Sequence, residues 1–573
     1  MSSGENRINE ERELISVAHG KGPLATLAVY TRLSGPGWLQ SAITLGGGSL
    51  AGALFLGILG GTSLLWLQLV AITMGVIMLS AISYVTLSTG ERPFRSINKH
   101  INPVLGWGWI IATMLANMIW CMPQFSLCFA ALQKNLLGSE TVDDSSQSKF
   151  IVSGLILVAS LIAVFLNSRQ GRAAKAFDWF LKFLVGLVVL CFVGVVSLLT
   201  FKGSLDWASI MTGFIPNLSQ WGTPTGKIAE LISTLPQQYQ DFWSVKVVAA
   251  QREVMIGAAA PAVGVNMTFL MPYSLLKRGW DRKFRGLSRF DLSTGMAIPY
   301  ILVTSCVVIA TAAQFHAKVD SAFLSTDPDV MQTSSLFKGA KSSLTARVAL
   351  ESGELPSEDE TLTRIAALSD EEKTIASSLV KRSAFDLSTA IAPLLGDKTA
   401  RIAFGLGIFG MGFSSIIILM LINGFAVCEI ANRELGGGTH IIGCLIAGIT
   451  GALWPFFWDG DSKVYLAIIA SSFGMMLLPI AYITFFMMMN STKLLGGDKP
   501  RGLNRLVWNV LMGVSVAGAI VAATSAIQSK VSDPTAGPIV ITMAVVFVIA
   551  VIVGFVRKSK TPENGGASVE TGS

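Results

Sequence analysis

The sequence predicts an all-α membrane protein of about twelve transmembrane helices. Three observations carry this. Hydrophobic residues make up 51% of the 573 residues and charged residues only 14%, against roughly a quarter charged in an ordinary soluble domain. Mean hydropathy is +0.59. The apolar residues also gather in runs of about 20, the length of a helix that crosses hydrocarbon.

The runs are taken in order. Residues 1–31 are polar and charged and read as a cytoplasmic N-tail, with no apolar stretch of the kind a secretory leader carries. The predicted spans are 35–59, 62–88, 104–133, 150–167, 179–201, 254–276, 292–314, 400–427, 438–457, 463–489, 507–527 and 537–556. Residues 32–495 form the expected core, 496–556 add two further helices, and 557–573 are a cytoplasmic C-tail rich in Gly, Ser and Glu. Residues 202–251 are expected to lie partly on the membrane surface. Residues 315–399 are a polar insertion with helical stretches near 358–381. A connection that long has structure of its own, and an extracellular cap is the plainest reading.

Basic residues set the orientation. Alternate loops carry Arg92, Arg95 and Lys99, then Arg169, Arg172 and Lys175, then six between Lys277 and Arg289, then Lys493, Lys499, Arg501 and Arg505. Arg557, Lys558 and Lys560 follow the last span. The opposite short loops carry only Lys134, Lys149, Lys463 and Lys530. Both termini are therefore expected in the cytoplasm, with the protein in the cell (inner) membrane. The net charge of +7 belongs to these loops, so nucleic acid is not an expected partner. All six cysteines fall in apolar runs, which argues against a disulfide framework. No phosphate-binding loop with its lysine is present, and nothing suggests an enzyme or a bound cofactor.

Two spans look interrupted. The first reads Gly35-Pro36-Gly37-Trp38, then Gly46-Gly47-Gly48-Ser49. Each glycine weakens a helix by roughly 1 kcal/mol relative to Ala. The sixth reads Asn266-Met267-Thr268-Phe269-Leu270-Met271-Pro272-Tyr273, and Pro272 removes a helical hydrogen bond. Interruptions five helices apart point to an inverted-repeat carrier with its site at mid-membrane. The repeats run over about 32–201 and 252–490.

The chain resembles the NRAMP divalent-metal transporters over roughly 30–495. Gly35-Pro36-Gly37-Trp38-Leu39 is similar to the family's GPGFL, Met271-Pro272-Tyr273 to its MPH, and Gly412-Phe413-Ser414-Ser415 to its GQSS. Asn490-Ser491-Thr492-Lys493-Leu494-Leu495-Gly496 is similar to the end of its tenth span. The resemblance implies a LeuT-like 5+5 inverted repeat with helices 1 and 6 broken, and transport by alternating access. It also exposes departures. The family's DPGN motif supplies a metal-binding Asp and Asn; here those positions are Gly46 and Ser49. The MPH histidine is Tyr273 and the GQSS glutamine is Phe413. The acidic residue of span three is missing from Asn117-Met118-Ile119-Trp120-Cys121. Of the implied metal ligands only Met271 remains, with Thr268 near the position of a backbone-carbonyl ligand.

The candidate substrate-binding residues are therefore Gly46, Gly47, Gly48, Ser49, Thr268, Met271, Tyr273 and Phe413. Gln40, Thr44, Asn117, Gln124 and Asn266 are candidate lining groups, each also explained by helix bridging. Ser414 and Ser415 are a candidate Na⁺ site, or else interhelical hydrogen-bond donors. The coupling ion is expected to be Na⁺ or H⁺, although proton relays usually use Asp, Glu or His. His19, His100, His316 and His440 read as solvated loop histidines. Without a carboxylate, Mn²⁺ and Fe²⁺ are disfavoured as cargo. Three readings stay open: a carrier of some other small solute, a carrier of a divalent ion such as Mg²⁺ held through carbonyls and Met271, and a membrane sensor on the same scaffold. Substrate, direction and oligomeric state are not legible.

Overall fold

The computed structural model describes residues 3–168, 172–352, 357–382, 385, 396–458, 466–531 and 536–560. Among these every regular element is helical. The chain opens with a hairpin of α1 (Ser3–Lys21) and α2 (Pro23–Leu33). The first span is α3 (Pro36–Thr44) and α4 (Gly47–Gly60), bent by 52° at the break. Next come α5 (Trp66–Thr89), α6 (Pro103–Ala131), α7 (Ser146–Ser168) and α8 (Arg172–Phe201). A short α9 (Gly226–Ser233) leads to α10 (Gln237–Ala259) and α11 (Val265–Arg278). The apolar helix α12 (Arg282–Phe315) follows. Then come the small helices α13 (Phe337–Ser352), α14 (Glu358–Ala366) and α15 (Asp370–Ser378). The chain ends with α16 (Asp397–Ile430), α17 (Gly438–Ala452), α18 (Leu466–Asn490), α19 (Gly502–Val531) and α20 (Ala536–Lys560).

Among the described residues nine helices are long and apolar enough to cross a membrane, and the bent α3–α4 pair makes ten. Two expected spans take other forms. The sixth is split into α10 and α11 by residues 260–264, where Pro261 and Gly264 interrupt the helix. The break therefore lies ahead of Pro272, which sits inside the continuous α11. Pro272 costs α11 one backbone hydrogen bond, and the helix continues through it. The ninth, α17, has 15 residues, short of the roughly 20 needed to cross straight. Buried α16 lies at the centre against α6, α8 and α17, whereas α20 lies on the outside.

The N-tail is folded rather than a loose polar tail. Ile15 and Ala18 are buried. Arg12 pairs with Asp281 at 2.7 Å, and the His19 ring meets Tyr30 Oη at 3.0 Å. In the insertion Phe323, Leu344, Val348, Ile365 and Ile375 are buried, continuous with the hydrophobic core of the bundle. All six cysteines are free thiols. The C-tail beyond residue 560, and Arg169 and Lys463 of the orientation argument, lie outside the described residues.

Candidate functional site

The break in the first span is built from backbone. Gly46 adopts extended backbone between α3 and α4. The amide of Gly47, the first residue of α4, donates to Gln124 Oε1 on α6 at 2.8 Å. The amides of Gly48 and Ser49 have no acceptor within their own helix, as the second and third residues of any helix do not. On the other side of the break, the last carbonyls of α3 are taken by hydroxyls. Ser414 and Ser415 on α16 both donate to the Ala42 carbonyl, at 2.9 and 3.2 Å. Ser49 reaches back across the break to the Thr44 carbonyl.

The second wall is α11. Gln40 Nε2 donates to the Met267 carbonyl at 3.3 Å, and the Thr44 hydroxyl lies 3.5 Å from Met267 sulfur. Met267 is thus the methionine set against α3. Met271 lies one turn further along the same face and is fully buried. Trp109 on α6 donates to the Thr268 hydroxyl at 2.9 Å. Pro272 has no N–H, so the Thr268 carbonyl, four residues before it, loses its helical donor.

The remaining candidates lie elsewhere. Tyr273 is turned into an aromatic column, stacked on Phe269 with centroids 4.3 Å apart and on Phe425 at 6.4 Å. Trp109 extends this column at one end and His440 at the other. Phe413 stacks on Phe409 at 5.6 Å and meets Phe180 of α8 edge-on. It faces α8 while its neighbours Ser414 and Ser415 face α3, since each residue turns the helix by about 100°. Asn117 lies 3.5 Å from Asn423 on α16, and Asn266 Oδ1 accepts from the amide of its neighbour Met267 at 2.9 Å.

The immediate ring around the break is electrically neutral. Gln40 Oε1, on the α3 side of it, is buried without a partner, and so are Asn117 Oδ1 and Tyr273 Oη away from the break. Among the described residues no three His, Cys, Asp or Glu side chains converge. The charges sit at the ends. Lys182 donates to the Ser34 carbonyl at 3.2 Å, and Arg278 pairs with Asp178 at 2.9 Å. Buried Glu429 closes α16 against Arg92 at 3.1 Å and Arg95 at 3.3 Å. Sequence reasoning missed Asp291. It is fully buried and accepts from Ser34 Oγ and from the Gly35 and Gly37 amides. The available signal was a helix beginning at Gly35-Pro36 with no capping side chain of its own. His316 and His440 are also buried rather than solvated: His316 sits between the ends of α4 and α9, and His440, in the first turn of α17, stacks on Phe425.

The profile of the natural resistance-associated macrophage protein-like family matches residues 37–333 and 366–525. Among solved structures, the chain is similar to the Eremococcus coleocola manganese transporter in a histidine-to-alanine mutant form, with TM-score 0.58 and 13% identity. A glutamate-to-glutamine mutant of that transporter gives 0.54 and 14%, and its complex with an aromatic bis-isothiourea compound gives 0.53 and 13%. Each match covers 92% of this chain and 93% of the other. Identity that low speaks for the fold. No curated protein matches the sequence.

Proposed function

The chain belongs to the natural resistance-associated macrophage protein-like (Nramp) family, and from that premise we propose that this membrane transporter is a secondary carrier working by alternating access. Its cargo is a divalent metal ion that keeps part of its water shell, Mg²⁺ rather than Mn²⁺ or Fe²⁺. One observation carries the choice: the ring at Gly46–Ser49, Thr268 and Met271 offers carbonyl, amide and thioether groups and no carboxylate or imidazole. Stripping a divalent ion bare in such surroundings is costly. Magnesium dehydrates reluctantly and keeps several of its waters when bound, and those waters donate to carbonyl oxygens without a carboxylate in contact with the ion.

A second reading rests on the start of α4. Its Gly48 and Ser49 amides suit the carboxylate of a small organic solute. In either case Na⁺ is the proposed coupling ion. The lone pairs of Ser414 and Ser415, beside the Ala42 carbonyl, supply hard oxygen ligands. Both termini lie in the cytoplasm on this reading.

Uptake into proteoliposomes decides between them, with Mg²⁺, Mn²⁺ and amino acids offered with and without a Na⁺ gradient. Mg²⁺ uptake without Mn²⁺ uptake supports the first reading, and Na⁺-driven amino-acid uptake the second. Mn²⁺ uptake with acidification of the lumen overturns both.

A further inference from the structure

His316 follows the last turn of α12, at the face opposite the N-terminal hairpin. Its imidazole is held between two backbone groups. Nδ1 lies 2.9 Å from the Ile58 carbonyl in the last turn of α4. Nε2 lies 3.1 Å from the Lys227 amide in the first turn of α9. An amide N–H only donates, so Nε2 must accept. The ring proton is therefore on Nδ1 and points at Ile58, and the histidine held here is the neutral one.

The surrounding backbone is shaped to the ring. Gly61 has φ +60° and Gly226 has φ +64°, and both face the imidazole. A Cβ on either glycine would come within 2.8 Å of a ring atom. Left-handed backbone is readily adopted only by glycine, so two loops have given up side chains where His316 enters. The ring is 9% exposed and borders a cavity of about 770 Å³ shared by Gly61, Lys227, Glu230 and Asp206. Protons from solution reach it there.

We propose that His316 is a proton-operated tether that ties α4, the second half of the broken first span, to α9 while neutral and lets go when protonated. A proton on Nε2 removes the acceptor for the Lys227 amide and sets a charged N–H against it. The charged groups acting on the ring are Lys227 and Glu230 from α9, and Lys318 on its own segment and Asp206 line the cavity it borders. The end of α4, Ile58–Gly61, and the end of α12 bring none. Burial lowers the histidine from its ordinary 6.5 and Lys227 adds to this, against the Ile58 hydrogen bond and Glu230. The sign follows. A pKa depressed by folding means the tether holds fully above the unfolded value and is lost as pH falls through the folded one. The tether goes beyond the transport reading and does not depend on the cargo.

Amide hydrogen exchange on the full-length protein tests it, at pH steps from about 7.5 to about 5 with times scaled for intrinsic exchange. In the wild type, segment 226–233 should exchange roughly tenfold faster at the acid end, with a midpoint below the ordinary histidine value and no change in α5. His316→Gln donates to Ile58 and accepts from Lys227 without titrating, so its profile should be flat. A flat wild-type profile overturns the proposal, as does an acid response that persists in His316→Gln. Should that variant fail to fold, the wild-type midpoint decides alone: one above the ordinary histidine value overturns the tether.

Discussion

The Asp291 carboxylate accepts the Gly37 amide at 2.7 Å, which ties the start of α3 to α12. The same group takes the Gly35 amide at 3.2 Å and the Ser34 hydroxyl. A buried acid is normally expensive, but three donors and a helix N-terminus compensate it. Asp291→Asn keeps an oxygen for the two amides and turns an NH₂ to the Ser34 hydroxyl, but removes the negative charge that strengthens all three bonds and faces the helix N-terminus. We expect a loss of roughly 1–3 kcal/mol, read as a lower unfolding temperature in detergent and faster hydrogen exchange over 34–40. An unchanged Asn variant would mean that α3 is held by other contacts.

Gln124 supplies the acceptor for the Gly47 amide at the break. Gln124→Leu keeps the volume and strands that amide, a loss of about 1–3 kcal/mol. If the break is the transport site, uptake of the cargo identified in proteoliposomes should fall at least tenfold while the folded fraction stays high. Full uptake by a folded Gln124→Leu protein would place the site elsewhere.

The all-α class, the first break and the helical stretches at 358–381 were legible because apolar run length and consecutive glycines act locally. The second break was misplaced. Pro272 is the louder signal, but a proline inside a helix costs one hydrogen bond, whereas Pro261 and Gly264 together interrupt the helix between α10 and α11. Asp291 and His316 were illegible for another reason. Each lies beside an apolar run and looks like a loop residue until the tertiary fold brings Gly37 or Ile58 to it. Phe413 and Tyr273 were assigned by position in a motif, and only helix rotation shows which face each side chain takes.

Restoring the family's metal ligands requires one more change than the motif suggests. A Cβ at Gly46 would overlap the Ser415 hydroxyl. Gly46→Asp with Ser49→Asn is therefore expected to fold poorly, and adding Ser415→Ala should relieve the clash. The triple variant should bind Mn²⁺ in isothermal titration where the wild type binds none. Mn²⁺ binding by the wild type would show that the neutral ring suffices.

Sodium at Ser414 and Ser415 has a thermodynamic signature. A bound ion raises stability by RT ln(1 + [Na⁺]/Kd), about 2.7 kcal/mol at a hundredfold excess over Kd. The wild type should melt several degrees higher in Na⁺ than in K⁺. Ser414→Ala with Ser415→Ala should abolish that difference. Equal melting of the wild type in both salts would leave the two hydroxyls as hydrogen-bond donors to Ala42 and nothing more.

The insertion offers the sharpest test of independent folding. Glu372 is buried between Arg347 and the Trp243 indole, which donates to it at 3.0 Å. Arg347 also lies over the Tyr239 ring at 3.3 Å, so α10, α13 and α15 meet at one carboxylate. Glu372→Gln keeps the shape and leaves the buried guanidinium to its longer pair with Glu351 at 3.5 Å, a cost of roughly 1–3 kcal/mol. The loss should fall on the insertion. Limited proteolysis within 337–378 should accelerate at least tenfold while α5 and α16 keep their hydrogen-exchange protection. Uniform loss of protection across the bundle would instead make the insertion part of a single folding unit with the membrane core.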